Sequence, residues 1–123
     1  MNIADGLKKF TKVMKALSDP NRVKIVKLLK HKRSLCVCEI RYLLGIAQPT
    51  VSKHLKTLEE AGLVEYRKDG LWVNYSLASP GSLPSYASEM LHQLNDWLED
   101  DPEIEALIMK APFVSREQIC RKN

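Results

Sequence analysis

No apolar run in these 123 residues is long enough to cross a bilayer, and the opening residues Met1-Asn2-Ile3-Ala4-Asp5 lack the basic start and apolar core of a secretory leader. The expectation is a cytoplasmic protein with no membrane partner. Cysteine is scarce. Cys36, Cys38 and Cys120 make an odd number, and the first two lie too close for an ordinary structural disulfide, which argues against a disulfide-stapled scaffold and suits a reducing compartment. Catalytic signatures are missing as well: there is no paired acid and base, no glycine-rich phosphate loop and no nucleophile triad, so an enzyme is not expected. His31, His54 and His92 do not form a zinc pattern. His92 and Asp96 share a helical i, i+4 spacing but lack further ligands, so His92 reads as an isolated histidine. No internal repeat or low-complexity tract interrupts a length that suits one domain with a modest core.

What is present is unevenly distributed. Ten of the nineteen Lys and Arg residues fall within the first 33 positions against two acids, whereas residues 80–123 hold eight of the fifteen acids against four bases. A basic front and an acidic rear suit a polyanion partner approached from one side. Ile3, Leu7, Phe10, Met14 and Leu17 form one apolar helical stripe, and Ser18-Asp19-Pro20 ends it and starts a second helix. That helix buries Val23, Ile25, Val26, Leu28 and Leu29 and carries its lysines on an outer face. A short third helix runs from about Val37 to Leu44 and stops at Gly45, and a fourth opens at Pro49 and continues to Glu60. Two alternating runs, residues 63–68 and 71–77, flank Asp69-Gly70 as a hairpin turn. Leu83, Tyr86, Met90, Leu94, Trp97 and Leu98 then mark a long amphipathic helix closed by Asp101-Pro102, and Ile104, Leu107 and Ile108 mark a further short one.

The fold class this order implies is mainly α with a β-hairpin wing, a winged helix-turn-helix of five to six helices. Residues 1–110 form the DNA-binding and dimerisation domain, and residues 111–123 a C-terminal tail. On a wheel of residues 48–58, Val51, Leu55 and Leu58 form the core arc. Lys53 and Lys56 lie nearly opposite, with Thr50, Ser52 and Thr57 on the shoulders and His54 nearer the apolar side. Small hydroxyls and Gln48 suit base edges; Lys53 and Lys56 suit phosphates; Arg67 and Lys68 at the wing tip add phosphate or minor-groove contacts. The stripes at Ile3–Leu17 and Leu83–Leu98 exceed what one small domain hides. They are therefore expected to pair in a homodimer through Leu7, Phe10, Met14, Met90, Leu94 and Trp97, on a two-fold symmetric operator of double-stranded DNA, an inverted repeat.

Cys36 and Cys38, one valine apart beside this reader, form a soft-metal or redox site. Chelation by both sulfurs favours an extended or unwound first helical turn, since residues two apart on a helix point about 200° apart. Cys120 reads as an incidental tail thiol or, alternatively, as a third ligand; an external thiol or water would otherwise complete the coordination.

Three stretches carry a family resemblance. Leu17-Ser18-Asp19-Pro20-Asn21-Arg22 with Leu28-Leu29 is the first. Thr50-Val51-Ser52-Lys53-His54-Leu55-Lys56 through Glu60-Ala61-Gly62-Leu63-Val64 is the second, and Asp69 through Leu77 is the third. Together they resemble the ArsR/SmtB family of winged-helix metalloregulatory repressors, and Leu35-Cys36-Val37-Cys38-Glu39 resembles its arsenical-sensing branch. The resemblance implies a homodimeric repressor whose first and long C-terminal helices form the interface, with As(III) or Sb(III) as effector at Cys36 and Cys38 and no catalytic cofactor. Two positions depart from the pattern: Arg41 stands where that branch often has a third cysteine, and Ala47 where a serine or threonine often caps the recognition helix. A thiol redox or persulfide sensor of the same fold is the alternative. A thiol oxidoreductase or metal carrier would leave the hairpin, the recognition helix and the basic front unexplained.

Overall fold

A computed structural model describes residues 3–119, with side chains from Gly6 onward. Seven α-helices and three strands follow in the order α1 (Ile3–Ala16), α2 (Pro20–His31), β1 (Leu35–Cys36), α3 (Val37–Leu44), α4 (Gln48–Glu60), β2 (Val64–Asp69), β3 (Trp72–Leu77), α5 (Ser85–Gln93), α6 (Pro102–Lys110) and α7 (Arg116–Ile119). Single 3₁₀ turns at Pro80–Ser82 and Ala111–Phe113 join the later elements. Local chemistry sets several boundaries. The Asp19 carboxylate accepts from the N–H groups of Asn21 and Arg22 at 2.8 and 3.2 Å, with Pro20 as the first helical residue of α2. Asp101 starts α6 the same way ahead of Pro102. Gly45 ends α3 with a left-handed φ of 69°, its N–H bonded to Arg41 O.

Helix α2 lies at the centre. Ile25, Val26, Leu28 and Leu29 pack with Val13 and Ala16 of α1, Ile40 and Leu43 of α3, and Val51, Leu55 and Leu58 of α4; Ala87, Leu91 and Leu107 of α5 and α6 complete the core. Each such side chain, fully buried, contributes roughly 1.5–3 kcal/mol relative to exposure. The winged helix-turn-helix is thus present, with one or two more helices than the five to six expected.

Five details differ from the sequence expectation. Strand β1 adds a third member to the hairpin, giving the antiparallel order β1-β3-β2 with Leu35 opposite Tyr75 and Cys36 opposite Asn74. The hairpin register pairs Asp69 with Trp72, so the two-residue loop is Gly70-Leu71 rather than Asp69-Gly70; Gly70 supplies the positive φ of 63° at its first position. Helix α5 ends at Gln93 instead of running to residue 98, and Leu98 takes a left-handed φ of 67°. Just past that end lies Lys27, which is fully buried rather than on an outer face: its ammonium donates to Leu94 O at 2.6 Å and Trp97 O at 2.8 Å and pairs with the Glu99 carboxylate. A cation on these carbonyls stabilises the helix end and the turn that follows it. Finally, Ala111 and Val114 are buried in the common core, and α7 rests against α3.

Candidate functional site

Helix α4 presents a polar face because Val51, Leu55 and Leu58 take the inner arc completely. Gln48, Thr50, Ser52, Lys53 and Lys56 are exposed, Thr57 and His54 half-buried, and Arg67 and Lys68 exposed on β2. Ala47, extended at the N-cap, offers no side-chain cap, and the Thr50 and Val51 N–H groups bond to its carbonyl at 3.1 Å. The Thr57 hydroxyl donates back to Lys53 O at 3.1 Å.

His54 faces inward. Arg22 donates through Nε to Ala16 O at 2.8 Å and through Nη2 to Lys15 O at 3.1 Å, and its Nη1 lies 3.2 Å from His54 Nδ1. Since a guanidinium only donates, Nδ1 accepts, and the Nε2 side of the ring looks toward Asp19 Oδ1 at 3.9 Å. The Asp19–Arg22–His54 set ties the end of α1 and the start of α2 to the middle of the recognition helix. Burial pushes the Asp19 carboxyl up, but the Arg22 and Asn21 N–H groups and the nearby Arg22 charge more than offset it, so its pKa is lowered. Motif reading placed these three residues without showing that they meet; an arginine three residues after an N-cap aspartate, with a histidine on the inner shoulder of α4, was the available signal.

The two thiols sit at a strand–helix junction. Cys36 is the extended N-cap of α3, with φ −87° and ψ 164°, and Cys38 lies within its first turn. Glu39 closes a capping box: its carboxylate accepts from the Cys36 N–H at 3.0 Å, and its own N–H points back at the Cys36 sulfur. Cys36 is a free thiol, 2% exposed. Burial raises its pKa, assisted by the Glu39 carboxylate and only partly countered by the Glu39 and Cys38 N–H groups. Cys38 is half-buried. Cys120 lies outside the described residues. Among the described residues no group of three or more His, Cys, Asp or Glu is placed to hold a metal ion.

Of the expected interface residues, Leu7, Phe10 and Trp97 are exposed, at 74, 40 and 47%. Met14 and Met90 are half-buried, and Leu94 belongs to the protomer's own core. The ring of Phe10 meets that of Tyr86 edge-on at 5.0 Å, so α1 and α5 share this face. No helix among the described residues is long and apolar enough to cross a membrane.

The model of the bacterial regulatory protein, arsR family, matches residues 19–66, which span α2, the thiol junction, α3, α4 and the start of the wing. An arsenic resistance transcriptional regulator of Pseudomonas putida is 37% identical over 93 residues, 72% of this chain and 71% of that protein. The chain belongs to the ArsR family. Another ArsR-type relative, a cadmium resistance transcriptional regulatory protein homolog of Staphylococcus aureus, is 40% identical over 67% of this chain and 68% of its own length. Among solved structures, the homodimeric winged helix-turn-helix DNA-binding domain of a possible ArsR-family transcriptional regulator of Mycobacterium bovis superposes with a TM-score of 0.64. It is 26% identical, over 80% of this chain and 90% of that one. The ArsR-family chain is accordingly a DNA-binding transcriptional repressor and not an enzyme.

Proposed function

We propose that this repressor binds an inverted-repeat operator as a homodimer and leaves it when As(III) or Sb(III) is captured by Cys36 and Cys38. One observation carries the reading: the thiols stand where β1 becomes α3, and these two elements adjoin the wing and α4 respectively. Strand β1 pairs with β3 of the wing at Cys36 and Asn74, and α3 packs against α4. Asn74 faces Arg67 across the other side of β3. The arsenic- and cadmium-resistance relatives support a thiophilic effector, and thiolate sulfur is the ligand such ions prefer.

Chelation has a structural consequence. Cys36 is extended and Cys38 helical, so bringing both sulfurs to one atom calls for the first turn of α3 to unwind. That opens the capping box and strains the Cys36–Asn74 pairing. A hundredfold loss of DNA affinity requires only about 2.7 kcal/mol of coupling.

Fluorescence anisotropy of labelled operator, with reduced protein and increasing arsenite, tests the reading. Cys36→Ser and Cys38→Ser bind operator like wild type but are not released, because one thiolate cannot chelate. By linkage, operator weakens arsenite binding by the factor by which arsenite weakens operator binding. Equal arsenite affinities with and without operator would show the thiols to be bystanders.

A further inference from the structure

The sequence leaves residues 111–119 as tail, yet they are fastened at both ends of the thiol-to-wing path. Lys32, just before β1, donates to Val114 O at 3.4 Å; Val114 is buried, Ile119 packs against the core, and α7 rests on α3. From this anchored segment the Arg116 side chain reaches the hairpin. Its Nη1 donates to Asn74 Oδ1 at 3.0 Å, its Nη2 to Asp69 Oδ2 at 3.2 Å, and its guanidinium lies 5.1 Å from the centre of the Trp72 ring. These are three residues of the wing, and they are the ones that matter for its aim. Asp69 and Trp72 are the last pair before the turn, and Asn74 is the residue shared by Cys36 on β1 and Arg67 on β2. A planar fork that satisfies two acceptors and stacks on a ring fixes orientation in a way a point charge does not. It also holds the only acid at the wing tip, beside Arg67 and Lys68, where an unpaired carboxylate would repel phosphate.

We propose that residues 111–119 are a clamp in cis that fastens the wing to the thiol end of α3, with Arg116 as the positioning residue for the wing's DNA contacts. The same clamp carries effector capture to the wing, a part that rests on the thiol reading above. Glu39, which caps α3 at Cys36, lines one polar cleft together with Lys32, Asp69, Asn74, Val114 and Arg116, so unwinding the first turn of α3 moves a wall of the cleft that the clamp spans.

The test compares the full reduced chain with Arg116→Ala, Arg116→Lys and Asn74→Ala. In the absence of effector, Arg116→Ala loses about tenfold in operator affinity. Hydroxyl-radical protection disappears at the operator flanks covered by the wing, while base preference under α4 is unchanged. Arg116→Lys keeps the charge without the fork and does not restore the flanks; Asn74→Ala removes the other end of the contact without touching the tail and gives the same flank loss. Thermal melting of each variant excludes general unfolding. With arsenite, Arg116→Ala still takes up metalloid at wild-type affinity without DNA, but its release factor falls severalfold. Wild-type operator affinity and flank protection in both Arg116→Ala and Asn74→Ala would overturn the clamp. Failure of arsenite to release the wild-type protein would instead overturn the thiol reading, and the apo operator measurements would still decide the clamp.

Discussion

Lys53 and Lys56 stand in solvent on the outer face of α4, while Ser52 and Gln48 stand exposed nearer its N-terminus. The difference in chemistry separates two kinds of contact. An ammonium on a flexible stem neutralises phosphate whatever the sequence; a hydroxyl or amide exchanges hydrogen bonds with a particular base. Lys53→Ala and Lys56→Ala should weaken binding to operator and random DNA alike, each reducing the salt slope by about 1. Ser52→Ala and Gln48→Ala should cost about 1–3 kcal/mol on operator alone, at one or two base pairs. Salt titrations on matched and scrambled duplexes distinguish them, and equal losses on both duplexes for all four variants would remove α4 as the reading helix. His54 falls outside this division: its ring lies between Arg22 and Asp19 and is turned away from the exposed face of α4.

Between elements, the most informative side chain is Lys27. Periodicity placed it on the polar face of an amphipathic helix, since lysine carries no local sign of burial. What puts it inside is α2 being covered by α6 and by residues 94–99, a tertiary fact; what makes it tolerable is the pair of carbonyls and the Glu99 carboxylate it meets. Lys27 meets the chain where α5 has ended, five residues before the apolar pattern does. Elements with strong local signals were legible: Asp19-Pro20, Gly45 and the residues of α4 gave their boundaries closely, whereas the two-residue strand β1 and the fold of residues 111–119 depend on distant partners. Lys27→Met should leave Leu94 O and Trp97 O without their donor and destabilise the fold by about 2 kcal/mol, read as a lower urea midpoint at unchanged slope. The hydrogen bond from Lys27 holds the Glu99 pKa down, although Glu99 remains partly exposed. A carboxyl depressed in the folded state contributes stability above its unfolded pKa of about 4.3 and loses it as pH falls through the folded value. Acid unfolding curves of Glu99→Gln should therefore be flatter than wild type below about pH 4, while a parallel curve would show the pair to be uncoupled from folding.

The molecule as a whole is polar in both charge and apolar exposure. Its basic residues concentrate in the first 33 positions and its acids in the last 44, which suits one face toward DNA and another away from it. Two groups of exposed apolar side chains bear on how copies meet. The first is Leu7 and Phe10 on α1, with Phe10 edge-on to Tyr86 of α5, together with Trp97; the second is Met109 on α6 and Phe113. Only the first lies on both of the stripes whose length exceeds the protomer's core, and in a two-fold interface each residue counts twice. Leu7, 74% exposed, contributes little to the protomer's own packing, so Leu7→Ser probes association without disturbing the fold. Losing about 1 kcal/mol of apolar burial at each of two copies should raise the dimer dissociation constant ten- to a hundredfold. Met109→Ser should leave it unchanged. Sedimentation equilibrium on both variants decides the matter: if Met109→Ser dissociates the dimer and Leu7→Ser does not, the copies meet through α6, and α1 and α5 would be free to engage something else.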